Sequence, residues 1–259
     1  MVPPTSLARH LQKAAAQAPQ AAELLHAGKS MSFAELVDDS LDLASQLKRH
    51  PGPIIEAGSS LHLARHAYAC SFQNRPFFPV DRGNALPAIQ QPLTDVALII
   101  ATSGSEGKPR AVLLGNEQLD AAAANSNTFL PLNPGDLWLN CLPLYHIGGQ
   151  SILWRCARAG ATVLLADGFT ADLLATDLAA QPVTHISLVP AMLARLLDLG
   201  AKPPASLRVA LIGGAALSRT LYDRATAAGW PLYPSYGMSE TAAQFATFDP
   251  AEGTWHEGL

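Results

Sequence analysis

Four short segments of the chain hold the residue types that do chemistry. In "IIATSGSEGKPRAVLL" (99–114), Thr102, Ser103, Gly104, Ser105 and Gly107 combine three hydroxyls with two glycines, and Lys108 and Arg110 follow. Glycines let backbone N–H groups turn toward an anion, hydroxyls add donors and the cations add charge, so the stretch can cradle a polyphosphate. The bland reading is a flexible surface turn. It is not a Walker loop, because only Ser105 and Glu106 separate Gly104 from Gly107, and Pro109 follows the lysine.

The second segment, "LPLYHIGGQSILWR", places His146 before Gly148 and Gly149, and Arg155 among Ile152, Leu153 and Trp154. A histidine beside two glycines suits a hydrolase oxyanion loop. That reading needs a G-x-S-x-G elbow, and "GMSET" from Gly237 lacks the last glycine. An arginine in an apolar segment needs a carboxylate or comparable partner, whether from the protein or from a ligand. In "IGGAAL", Gly213 and Gly214 end a run of strand character, which fits a tight turn or the close approach of a backbone to a flat ring. "SYGMSET" offers Tyr236 for stacking, Glu240 as a Mg²⁺ carboxylate, and Ser239 and Thr241 as donors.

These segments need a scaffold, and the hydrophobic pattern describes one. "VALIIAT" (96–102) is a continuous apolar run rich in branched residues, as expected of a strand buried on both faces of a parallel sheet. From Ser32 a Ser32/Glu35 capping box opens an amphipathic helix. Then "GPIIEAG", "SSLHLARHAYACSFQ" and "RPFFPVD" read as one strand–helix–strand unit, and strands and helices alternate from about residue 116 to "PLYPSYGMSE". Such alternation predicts an α/β fold with largely parallel sheets, whose ligands bind beyond the carboxyl ends of the strands.

Composition sets the outer bounds. The 259 residues are 49% hydrophobic and 15% charged, and 17 basic against 21 acidic residues give a net charge of −4 without any basic run. Nucleic acid is therefore not an expected partner, and no apolar run approaches a membrane span. Three widely spaced cysteines, Cys70, Cys141 and Cys156, suit buried thiols in a reducing compartment, so the expected location is cytoplasmic. A homodimer is left open.

Taken together and in this order, "TSGSEGKPR", "PLYH", "GGA" and "YGMSE" resemble the signature segments of the adenylate-forming (AMP-binding) acyl-CoA synthetase superfamily. Within it the likeness is strongest to the o-succinylbenzoate:CoA ligases of menaquinone synthesis, through "LPLYHIGGQSILWR", "THISLVPAMLARLL" and "LRVALIGGAAL". The resemblance implies a layered αβαβα N-terminal domain, with 1–95 a shortened first subdomain and 96–259 the nucleotide- and acyl-binding subdomain. It implies ATP, Mg²⁺ and coenzyme A, and a small carboxylic acid activated as acyl-AMP before transfer to the thiol.

By the same resemblance Thr102, Ser103, Gly104, Ser105, Gly107 and Lys108 would hold the β and γ phosphates. Tyr236 and Gly237, with the backbone of Gly213, Gly214 and Ala215, would take adenine. Glu240 would bind Mg²⁺, Thr241 would contact the α-phosphate or acyl carboxylate, and His146 would line the acyl pocket. Arg155 and Ser187 would face the acid. Glu106 departs from the family's hydroxyl residue and matches the acyl-carrier-protein branch; Arg110 replaces a lysine. The chain ends at "EGTWHEGL", ahead of the family's T-G-D segment and mobile C-terminal domain, so the expectation is a truncated N-terminal domain that adenylates poorly alone. A non-catalytic nucleotide or acyl binding module, a fatty acid ligase relative and, remotely, an α/β hydrolase are the alternatives.

Overall fold

A computed structural model describes residues 4–47, 52–102, 109–253 and 255–256. Two sheets organise it. The smaller has the order β3 (Ile54–Glu56), β4 (Phe77–Pro79), β5 (Val96–Thr102), β6 (Arg110–Gly115). Its first three strands are parallel, and β5 and β6 form an antiparallel hairpin in which Thr102 pairs with Arg110. The larger runs β12 (Ala243–Thr247), β11 (Leu232–Met238), β10 (Val209–Ile212), β9 (His185–Leu188), β7 (Leu137–Asn140), β8 (Thr162–Leu165), β1 (Ala22–His26), β2 (Lys29–Ser32). Its six central strands are parallel; β12 and β2 are antiparallel edges. The fold is α/β with mostly parallel sheets, as the alternation predicts.

The VALIIAT strand is buried from Val96 to Ile100, yet only one of its neighbours is parallel, because the chain returns as a hairpin instead of through a helix. Sheet membership also crosses residue 95 in both directions. The β1–β2 hairpin lies in the larger sheet, whereas β5 and β6 lie in the smaller.

Helices α1 (Ser6–Gln17), α2 (Phe33–Gln46), α3 (Ser60–Phe72), α4 (Asn116–Phe129) and α5 (Ile147–Ala159) lie between the sheets. One core joins Leu7, Leu11, Phe33, Leu119 and Leu153 from these helices to Phe77 and Leu98 of the smaller sheet and Trp138 and Val163 of the larger. Helices α6 (Ala171–Ala180), α7 (Pro190–Asp198) and α8 (Arg219–Ala227) cover the other face of the larger sheet through Leu174, Leu193, Leu196 and Tyr222. The outer face of the smaller sheet packs Phe78, Val96 and Ile99 against Val80, Ile89 and Leu93 of the connection 80–95.

Local sequence explains the helix boundaries. At α2 the Ser32 hydroxyl accepts from the Glu35 N–H at 3.2 Å and the Glu35 carboxylate accepts from the Ser32 N–H at 2.8 Å, the expected capping box. Ser59 caps α3, Pro190 opens α7, and Gly160 in the left-handed region (φ 69°) closes α5. Among the described residues no helix is long and apolar enough to cross a membrane.

Candidate functional site

The carboxyl ends of the central strands meet along one edge of the larger sheet, and four of the loops that leave it there follow β7, β9, β10 and β11. After β7 the chain turns at 141–146 into α5. Asn140 holds this turn by accepting from the Leu142 N–H at 3.2 Å and donating to the Gly149 carbonyl at 3.1 Å, and buried Gln150 donates to the Leu144 carbonyl at 2.8 Å. Of the two glycines of this segment, Gly149 is a packing requirement. A Cβ on Gly149 would sit 2.5 Å from the Pro143 carbonyl oxygen, and one on Gly148 would sit 3.1 Å from Leu142 Cδ1. His146 is the N-cap residue of α5, solvent-exposed, with its ring 4.7 Å from that of Tyr145. Loss of hydration holds its pKa below the ordinary value, opposed by the charge of Asp81. No side chain among the described residues hydrogen-bonds its ring.

Arg155 lies further along α5 on its buried side, only 2% exposed. Its Nη2 donates to Gln244 Oε1 of β12, and Gln244 Nε2 donates in turn to Ser126 Oγ of α4 at 2.9 Å, which fixes the amide's orientation. The guanidinium carbon stands 5.2 Å from the centre of the Trp138 ring, and Nε has no partner among the described residues. Among the described residues no carboxylate is in ion-pair range. Burial alone lowers its pKa to about 10, so it stays charged near neutrality.

Trp138 connects Arg155 to Ser187. Its Nε1 donates to Ser187 Oγ at 3.2 Å, and the His185 ring stacks on it at 5.0 Å. Ser187 and His185 are both on β9 and buried, with His185 pushed down to about 4 chiefly by burial. The structure thus brings Arg155 and Ser187 into one buried cluster through a tryptophan. His146 and Arg155 do not meet, since nine residues of helix rise separate them by about 13 Å. The Arg155 side chain shortens that span by leaning toward the helix N-terminus.

The third and fourth loops adjoin each other at the end of β10 and β11. A Cβ on Gly213 would meet Ser235 Oγ at 2.9 Å, and Gly214 (φ 78°) has the conformation that favours glycine. Gly214 and Ala215 are exposed beside this strand end. Tyr236 is 47% exposed and stands edge-on to Phe245, 60% exposed, with ring centres 5.2 Å apart. Gly237 lets β12 approach, because a Cβ there would lie 2.4 Å from the Ala243 carbonyl oxygen. Glu240 and Thr241 sit in a short 3-10 turn, Ser239–Thr241. The Glu240 carboxylate is exposed, while its backbone carbonyl accepts from Gln118 Nε2 at 2.7 Å. Thr241 Oγ1 accepts from the Met238 N–H at 3.1 Å and lies 2.7 Å from the Ala243 carbonyl, to which it donates.

This turn packs against β6 of the β5–β6 hairpin. Thr102 ends β5 at the base of the hairpin, its hydroxyl 3.5 Å from the Arg110 carbonyl. Ser103, Gly104, Ser105, Glu106, Gly107 and Lys108 lie outside the described residues. Trp138, Gln244 and Phe245 escape sequence reasoning; the alternating pattern of "AQFAT" is the one signal that could have placed the last two on a strand.

Comparison with known proteins agrees with this arrangement. The family model described as AMP-binding enzyme matches residues 56–258. A 2-succinylbenzoate–CoA ligase of Staphylococcus epidermidis is 40% identical over 158 residues, 61% of this chain and 33% of the relative, so the chain matches about a third of that relative's length. The o-succinylbenzoate CoA synthetase of Bacillus subtilis in complex with its acyl-adenylate intermediate OSB-AMP superposes with a TM-score of 0.82 over 93% of this chain and 61% of that one. The same enzyme in complex with ATP and magnesium ion gives 0.78 over 93% and 62%. At 24% identity these two structures speak for the fold alone. The order of loops along the sheet edge and the span of the family match carry the same conclusion: the chain belongs to the AMP-binding enzymes.

Proposed function

We propose that the carboxyl edge of the larger sheet binds ATP and a carboxylic acid and joins them as acyl-AMP, with o-succinylbenzoate as the acid and coenzyme A as the eventual thiol acceptor. The acid's carboxylate oxygen attacks the α-phosphorus, the bond to the bridging oxygen breaks, and pyrophosphate leaves. Chemistry of this kind depends on positioning and charge neutralisation. In this reading Thr102, Ser103, Gly104, Ser105, Gly107 and Lys108 surround the β and γ phosphates. Tyr236, with Phe245 beside it, takes adenine against Gly213, Gly214, Ala215 and Gly237. The solvent-facing Glu240 carboxylate fits the single protein oxygen that Mg²⁺ often takes, the ion supplying charge neutralisation between phosphates. Thr241 faces the α-phosphate and His146, held toward its neutral form, lines the approach of the reacting carboxylate.

The observation that carries the reading is the state of Arg155: a buried, charged guanidinium whose described hydrogen-bond partner is a neutral amide. Such a cation is costly unless an anion meets it. A second carboxylate on the acid, entering beside Ser187 and Trp138 in place of the Gln244 amide, would satisfy it bidentately. Calorimetric titration in the presence of ATP and Mg²⁺ tests this. O-succinylbenzoate binds at least about tenfold more tightly than benzoate, and Arg155→Gln removes that preference. Equal affinity for both acids in the natural sequence would sink the assignment.

A second reading, binding without turnover, draws on the Thr241 hydroxyl, whose proton is engaged within its own turn. Exchange of labelled pyrophosphate into ATP separates the two: exchange supports adenylation, and saturable ATP binding without exchange supports the binding module.

A further inference from the structure

A second cluster of ligand-type side chains lies where the smaller sheet meets α3. Glu56 is the last residue of β3, and its backbone carbonyl is pinned by the Val80 N–H at 2.9 Å. The following loop leads to α3, whose Ser59 cap sets the helix phase so that His62 and His66, four residues apart, share a face. Glycine at 58 is required by this arrangement, because a Cβ there would sit 2.7 Å from the His62 ring.

The hydrogen-bond pattern within the cluster is incomplete in one place. His66 Nδ1 lies 2.9 Å from the His62 carbonyl, which can only accept, so Nδ1 carries a proton. In the neutral ring Nε2 then bears a lone pair, and it faces Glu56 Oε1 at 3.9 Å. An acceptor pair of this kind is what a shared cation, a proton or a metal ion, bridges. The other carboxylate oxygen, Oε2, lies 3.0 Å from His62 Nε2. One ligand atom from each of the three residues lies within 4.8 Å of the others. Donors around a tetrahedral zinc ion stand about 3.3 Å apart, so closing the set takes only small side-chain movements.

We propose that Glu56, His62 and His66 form a solvent-open site for one divalent transition ion, Zn²⁺ by its donor set. Two imidazoles and a carboxylate suit zinc, whereas Mg²⁺ and Ca²⁺ prefer all-oxygen shells. The His66 Nδ1–H bond to a backbone carbonyl is the outer contact that orients metal-bound imidazoles. His62 and Glu56 keep side-chain exposures of 40% and 32%, which leaves the fourth position to water. His62 becomes a ligand through Nε2 by moving its ring proton to Nδ1, so no co-reactant is needed. The bound ion ties the end of β3 to the first two turns of α3.

The test is calorimetric titration of the whole chain with Zn²⁺, paired with the visible spectrum of the Co²⁺ form. One ion binds per chain, and the Co²⁺ spectrum shows the intense bands of a four-coordinate site without thiolate charge transfer. Glu56→Gln and His62→Gln each weaken binding by more than the roughly 10–100-fold that loss of an outer contact costs. His26→Gln, which removes the two-member His26–Asp167 pair, leaves binding unchanged. Zn²⁺ raises the melting temperature of the natural chain and not that of His62→Gln, whose half-exposed position keeps the fold intact by circular dichroism. Absence of saturable uptake, undiminished binding in both variants, or the weak bands of six-coordinate Co²⁺ would each overturn the site.

Discussion

Arg155 concentrates the energetic tension of the molecule in one side chain. Its guanidinium is stripped of water, rests on the Trp138 ring and leaves Nε without a partner among the described residues. A methionine of similar length would keep the packing and drop the desolvation cost. Arg155→Met is therefore expected to raise unfolding free energy by about 1 kcal/mol, read from urea midpoints at constant slope, while it abolishes preference for a dicarboxylic acid. His185, stacked on the same tryptophan, gives a second prediction. Its ring is held at about 4 against an ordinary 6.5, so above pH 6.5 folded and unfolded chains alike hold it neutral. As pH falls from 6.5 toward 4 the unfolded chain takes a proton that the folded one refuses, and up to roughly 3 kcal/mol is lost. His185→Gln should flatten that part of the stability profile; an identical profile would place the loss elsewhere. Arg155 itself was legible in the sequence because a cation stood inside an apolar run. Trp138 and Gln244 were not, since they reach it from strands that become its neighbours only once the sheet order is set.

At the scale of elements, what the sequence displays depends on how each strand is connected. Strands followed by helices announce themselves through a change of hydrophobic period, and every one from β7 to β10 is visible that way. Hairpin returns carry no such change, which is why β6, β12 and the β1–β2 pair fall outside the reading while α2, with its capping box, falls within it. Ser32→Ala is expected to cost about 1 kcal/mol in thermal or urea unfolding, because it leaves the Glu35 N–H without its cap. Gly237 has a larger task at the bulge between β11 and β12. Gly237→Ala pushes a methyl into the Ala243 carbonyl, and an expected loss of roughly 1–3 kcal/mol should come with weakened ATP binding, because Tyr236 and the Glu240 turn lie on either side of that contact. Unchanged stability would mean that β12 moves aside freely. Of the candidate site, the loops and their order were readable; the hairpin that carries Thr102 and its lean against the Glu240 turn were not.

Across the whole molecule the most consequential feature is the placement of the first hairpin. Strand β1 pairs with β8 through Leu24, Leu25 and His26 beside Val163, Leu164 and Leu165, and buried Tyr68 of α3 donates to Glu23 at 2.8 Å. About 140 residues of chain separate the partners, a long loop to close before any contact rewards it. During synthesis on a ribosome the first hairpin has no edge to join until Thr162–Leu165 has emerged. Leu24 lacks its β8 neighbours until then. A nascent chain arrested before β8 should accordingly be cut by protease near residues 22–36, and one arrested after β8 has cleared the exit tunnel should resist. The order in which the strands are made is therefore not the order in which they pair.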